Sequence, residues 1–205
     1  MPPRRAERPH TSPILAEEAT ARLRDGTEVR LRPVRPDDRA RITAFVRGLS
    51  PESLELRYFS AVSAESAVDR IVGSAADPRR RSMLLELTGT DPATIVAHGE
   101  FDPVAAEPGR GEVAFLVADA WHGHGAATVV LLHLARLAAA DGVRQLEAVV
   151  RAENQPMIDV FLGAGFPCAI VWRDGEGRVV LDIGAPPGPT GIPRGAAGDP
   201  TSSPA

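Results

Sequence analysis

The chain has 205 residues, 43% of them hydrophobic and 24% charged, which is enough for one domain with a substantial core and short for two. Its 23 basic and 27 acidic residues leave a formal charge of −4, so it lacks the electrostatic footprint of a nucleic-acid binder or of a protein held on an anionic membrane. All 23 cations are arginine, as G+C-rich coding would give, and the single Cys168 excludes an intrachain disulfide.

Residues 1–20 are rich in Pro, Arg and Glu and carry little apolar periodicity, so a disordered arm is expected there, without the apolar stretch of a signal peptide. EVRLRPV (28–34) alternates apolar positions with arginines, as a half-exposed strand does. In DDRARITAFVRGLS the residues Ile42, Phe45, Val46 and Leu49 fall at helical spacing, with Asp37 or Asp38 available as N-cap. SPESLELRYFS predicts a shorter helix, and SAESAVDRIVGS a third through Val68, Ile71 and Val72.

The period then changes. SMLLELT (82–88), TIVAHGEF (94–101) and EVAFLVA (112–118) predict consecutive antiparallel strands. After WHGHGAA comes a helix from about Ala126 to Ala140, closed by Asp141 and Gly142. RQLEAVVRA predicts a buried strand, and a helix follows from near Asn154 through Phe161 and Leu162. FPCAIVWR and GRVVLDI form a hairpin around DGEG. Residues 184–205 hold eleven Gly or Pro among 22 positions and predict a second disordered tail. The result is an α/β (α+β) fold, a mixed sheet covered by helices over residues 21–183. The longest apolar segment, TVVLLHLARLAAA, is broken by His133 and Arg136 and falls short of the roughly 20 residues that span a bilayer, so a cytoplasmic protein is expected.

The WHGHGAA loop has two chemical readings. A strand, a short glycine loop and a long helix make an anion site, because the first helical amides lack internal partners and the helix dipole adds positive charge. Alternatively, His122 and His124 could hold a metal. That needs a third ligand, and neither CxxC nor HExxH nor a third clustered His lies nearby.

The stretch EVAFLVADAWHGHGAATVVLLHL, followed by VRQLEAVVRAENQPMIDVFLGAGF, resembles the GNAT superfamily of acyl-CoA-dependent N-acyltransferases. The opening RLRDGTEVRLRPVRPDDRARITAFVRGLSPESLELRYFS looks like the GNAT domain of Pat-type protein lysine acetyltransferases, and the two together cover about residues 22–183. The resemblance implies a mostly antiparallel sheet with a splay between its two central strands. It implies acetyl-CoA as cosubstrate, no metal, and an amine acceptor, a protein lysine or a small molecule, on a monomer or homodimer.

By position, the family's acyl-CoA loop falls on His122, Gly123, His124, Gly125, Ala126 and Ala127, whose amides would hold the diphosphate. His122 replaces a usual Gln or Arg and His124 a usual basic residue, and histidine, unlike arginine, is only partly charged at neutral pH. Backbone groups near Phe115, Leu116 and Val117 would bond the pantetheine amides and face the thioester oxygen, and Asn154 matches the family's asparagine as well as an N-cap. Glu112 matches the glutamate of Pat-type enzymes; half-buried beside an apolar strand, such a carboxylate would be shifted toward the range a general base needs. Glu100, one strand earlier, is the reserve. Where many relatives place a tyrosine near the leaving sulfur, this chain has Phe161, and Tyr58 is its only tyrosine. The missing hydroxyl and the unusual histidines leave a second expectation open, a non-catalytic acyl-CoA-binding sensor on the same fold.

Overall fold

The alternating apolar positions of the chain's central stretches are strands β1 (Ala19–Arg22), β2 (Glu28–Pro33), β3 (Arg81–Leu87), β4 (Ile95–Pro103), β5 (Arg110–Val117), β6 (Gln145–Arg151), β7 (Cys168–Arg173) and β8 (Glu176–Asp182). The computed structural model describes residues 17–77 and 79–184. Most of the expected arm and tail, residues 1–16 and 185–205, therefore lies outside the described residues. The eight strands form one sheet in the order β1-β2-β3-β4-β5-β6-β8-β7. Every neighbouring pair is antiparallel except β5 with β6.

Helices α1 (Arg39–Arg47), α2 (Pro51–Tyr58) and α3 (Ala64–Ser74) cover one face of the sheet. Ile42, Val46, Leu54, Val68 and Ile71 pack there against Leu84, Ile95 and Leu116. Helices α4 (Ala126–Ala140) and α5 (Gln155–Leu162) cover the other face, where Val130, Leu131, Leu134 and Phe161 meet Leu85, Ala97, Phe101 and Phe115. The two-residue alternation of a strand divides the apolar side chains of β3, β4 and β5 between these two cores.

Two local features differ from the sequence reading. Strand β1 begins at Ala19, inside the segment read as arm; its ATAR sequence has little apolar bulk, and register with β2 (Ala19 with Leu31, Arg22 with Glu28) makes it a strand. Asp38 does stand at the N-cap position of α1, but its side chain makes no cap bond. The carboxylate accepts instead from both guanidinium nitrogens of Arg32, at 2.6 and 2.7 Å, and from the Arg35 N–H at 2.8 Å. Arg32 also donates to Glu86 at 2.7 Å, so a buried ion network ties β2 and β3 to the start of α1. Ser50 and Ser63 do cap α2 and α3, each accepting from the N–H three residues on, at 3.1 Å.

Candidate active site

The site begins where β5 and β6 part. They are in parallel register only at Arg110 with Gln145, Gly111 with Leu146 and Glu112 with Glu147. Beyond that point β5 stays paired with β4 through Val117, and β6 stays paired with β8 through Arg151. Each strand keeps its outer partner and loses the inner one, which produces the expected splay.

Register also decides which backbone groups face the opening. The Ala118 N–H bonds the Val96 carbonyl on β4, while the Gly109 carbonyl accepts from Arg144 and Gln145 on the β6 side. Alternation then turns the N–H and C=O of Phe115 and Val117 toward the splay and those of Leu116 toward His98 on β4. Leu116 was expected among the residues whose backbone faces the splay. The structure corrects this: its backbone faces β4, and its side chain is buried under α1–α3.

The loop after β5 is fixed from two sides. The Asp119 carboxylate accepts from the Ser50 N–H at 2.8 Å and from the Ser53 hydroxyl at 2.6 Å, anchoring the loop to the start of α2. Burial opposes charge on Asp119, but these bonds outweigh it and hold the carboxyl below its usual range. On the other side, the turn between β1 and β2 touches the loop. The Arg24 N–H donates to the His124 carbonyl at 3.0 Å, and Asp25 lies 3.0 Å from His124 Nδ1.

Both loop histidines are therefore engaged within the protein. His122 Nε2 lies 3.1 Å from the Val117 carbonyl, and the His124 ring meets the Trp121 ring edge-on with centroids 5.4 Å apart. Their rings serve different neighbours, and among the described residues no group of three His, Cys, Asp or Glu is placed to hold a metal. Gly123 and Gly125 have φ of +77° and +88°, the left-handed region that a side chain disfavours. Among the described residues, the N–H groups of Gly125, Ala126, Ala127 and Thr128 donate to no protein acceptor. They form a row of free donors at the positive end of a 15-residue helix.

Glu112 is exposed, not half-buried as expected, because it stands at the mouth of the splay on the face that carries α2. Glu100 is in different surroundings. It is mostly buried, Arg57 donates to one of its oxygens, and Arg80 lies 3.6 Å from the other. Asn154 is the N-cap of α5, its Oδ1 accepting from the Met157 N–H at 3.3 Å. Phe161 is buried, with its ring centroid 6.0 Å from that of Phe115, so it forms part of the wall behind β5.

The contacts of several neighbouring groups carried no signal in the sequence. Tyr58 lies between the guanidinium groups of Arg57 and Arg70, at 4.9 and 5.3 Å from its ring centroid, and burial raises its phenol above the usual range. Arg151, at the end of β6, reaches over the Phe59 ring at 5.6 Å and lies 3.7 Å from Glu55, joining α2 to the far lip of the splay. His98 is fully buried and bonds the Ser82 hydroxyl at 2.8 Å. Apart from Arg57 with Tyr58, neighbours on α2, these pairs join residues from separate elements, and only the fold brings them together.

Residues 28–167 match the family model described as acetyltransferase (GNAT) domain. Over 155 residues, 70% of this chain and 77% of the relative, the sequence is 29% identical to an acetyltransferase of Pseudomonas aeruginosa. The GNAT domain of S. lividans PAT superposes with a TM-score of 0.69 at 33% identity, covering 80% of this chain and 96% of that one. Mycobacterium smegmatis RimJ, solved in complex with CoA-disulfide, shares the fold with a TM-score of 0.60 at 22% identity, covering 80% and 86%. A splayed central strand pair, free amides opening the following helix, and a family match over most of the folded chain lead to one conclusion: the chain belongs to the GNAT acetyltransferase family and is an acetyl-CoA-dependent N-acetyltransferase.

Proposed function

We propose that this enzyme transfers the acetyl group of acetyl-CoA to the side-chain amine of a protein lysine, with Glu112 as general base. The observation that carries the reading is the parting of β5 from β6 immediately after Glu112. Pantetheine would enter the splay along Phe115 and Val117, whose N–H groups have no strand opposite them. The amides at the start of α4, from Gly125 onward, would take the diphosphate, with Gly123 and Gly125 giving the loop its path. Asn154, following β6, would line the far side of the splay, and Phe161 the wall behind β5.

In the reaction the amine nitrogen attacks the thioester carbon, and the carbonyl oxygen gains negative charge facing a main-chain N–H of β5. A lysine ammonium has a reference pKa near 10.4, so it must lose a proton before it attacks; Glu112 would take that proton directly or through water. Collapse of the tetrahedral intermediate breaks the C–S bond and, as the nitrogen gives up its second proton to solvent, forms the amide. Phe161 has no proton to give, so the sulfur leaves as thiolate and is protonated by solvent, which suits a thiol with a pKa of about 8.5.

A protein acceptor is favoured by the open surface beside Glu112. On that sheet face Val149 of β6 and Val171 of β7, aligned with one another through Arg178 of β8, are exposed. An accessible shelf next to the base suits a side chain presented by a macromolecule better than it suits a small amine needing enclosure. The PAT relative, at 33% identity, adds to this reading.

The test is thiol release from acetyl-CoA with a panel of lysine-bearing proteins and peptides set against small amines. Glu112→Gln is expected to lower kcat by about 100-fold or more while leaving affinity for CoA unchanged. Turnover confined to small amines would overturn the acceptor assignment. CoA binding without turnover on any amine would favour a sensor.

A further inference from the structure

The loop at the start of α4 lacks the cation that a diphosphate calls for, and a neighbouring element brings one. His122 and His124 stand at the family's Gln/Arg and basic positions, yet their rings are turned to the Val117 carbonyl and to Asp25. Arg24 comes from the turn between β1 and β2, outside the loop. Its backbone is bonded to the loop through the His124 carbonyl, and its side chain runs across Gly125. A Cβ placed on Gly125 would stand 3.2 Å from Arg24 Cγ, 3.6 Å from Cδ and 3.5 Å from Nε. The Arg24 side chain, as far as Nε, therefore lies against the Gly125 backbone, the residue that carries the first of the free amides.

Two further observations agree. The Arg24 side chain is exposed, and among the described residues it has no hydrogen bond or ion pair, in a protein where many other arginines are paired. Its nearest acid in sequence, Asp25, is already taken by His124. A guanidinium offers five donors in a planar fork that matches phosphate oxygens, which neither histidine can offer.

We infer that Arg24 is a CoA-binding residue, its guanidinium held over the start of α4 to pair with the diphosphate in place of the loop's own side chains. The inference rests on the reading of that loop as the diphosphate seat. It assigns the β1–β2 turn a part in cosubstrate recognition, with Asp25 and His124 as the clamp that sets the turn against the loop.

The experiment is calorimetric titration of the full chain with CoA and with 3′-dephospho-CoA, for the wild type, Arg24→Gln and Arg24→Lys. Charge-assisted hydrogen bonds of this kind predict that Arg24→Gln weakens both ligands by the same factor, about 10- to 100-fold, with Arg24→Lys in between. The same variant should show a smaller salt dependence of binding. Its KM for acetyl-CoA should rise while kcat at saturation stays within about twofold. Wild-type affinity in Arg24→Gln would overturn the inference, and a loss seen with CoA but not with dephospho-CoA would overturn the diphosphate assignment in favour of the 3′-phosphate. Failure of the wild type to bind either ligand would instead sink the underlying reading of the loop.

Discussion

Glu100 and Glu112 share a sheet face on adjacent strands, Glu100 in register with Ala114 and Glu112 with Asp102. Their surroundings separate them. Glu100 is closed in by Arg57 and Arg80, so its charge balances two cations in a mostly buried place, while Glu112 faces solvent at the mouth of the splay. Removing the Glu100 charge leaves partly buried guanidinium groups uncompensated, and Glu100→Gln is expected to lower unfolding stability by about 1–3 kcal/mol. Its kcat should stay within about threefold of wild type, the reverse of the pattern expected for Glu112→Gln. Urea midpoints and acetylation rates measured on both variants decide this; a Glu100→Gln enzyme of full stability and no turnover would exchange the two roles. The sequence named both carboxylates but could not rank them by burial, because the arginines around Glu100 come from α2 and from the approach to β3. Leu116 fell to the same limitation: an apolar strand residue does not show which neighbour its backbone faces until the partner strand is in register.

At the level of elements, the site depends on how closely α4 lies on the sheet. Gly99 on β4 is the contact point: a Cβ there would stand 2.3 Å from Val130 Cγ1, 3.1 Å from Phe115 Cδ1 and 3.2 Å from Leu134 Cδ1. A valine methyl on a packed helix has nowhere to retreat, so Gly99→Ala must push α4 and Phe115 away from their seats. The expected loss is about 1–3 kcal/mol in denaturant unfolding, and Val130→Ala in the same chain should recover part of it. Unchanged stability in the single variant would show that the helix does not approach this closely. The span of α4 was legible from Ala126 to Ala140 because one long apolar segment is bracketed by glycine loops. Strands β2 to β8 were legible within a few residues for similar reasons. Strand β1 was not, since four residues of ATAR bury too little to stand out; Asp38 stands at the expected N-cap position, but its carboxylate does not cap the helix because Arg32 competes for it from another strand. β8 lies between β6 and β7 and pairs with β6 along its whole length, and no local pattern encodes that order.

For the whole molecule, the buried polar groups make stability depend on pH in one direction. His98 is sealed between the sheet and the helices above it; burial, joined by the charges of Arg57 and Arg80, pushes its pKa down to about 3. The unfolded chain protonates the same ring near pH 6.5, so between these values the unfolded state binds one more proton than the folded state. Stability then falls by up to about 1.4 kcal/mol for each pH unit of acidification through that window. Asp38 acts lower on the scale. Burial opposes its charge, but the bonds from Arg32 and the Arg35 N–H, with the charges of Arg32 and Arg41, outweigh it and hold its carboxyl below the usual range. Its contribution is present above the unfolded carboxylate pKa of about 3.9 and is lost as pH falls through the lower folded value. Acid should therefore weaken the fold in two stages, His98 first. Replacing His98 with Gln keeps a side-chain amide for Ser82 and removes the titration. The expected result is a slope of unfolding free energy against pH, between 6.5 and 4.5, that is flatter than wild type by about one proton. Equal slopes would mean that His98 reaches solvent in the folded protein. Because His98 is in register with Leu116, that outcome would also mean that β5 is less firmly supported from behind than the site requires.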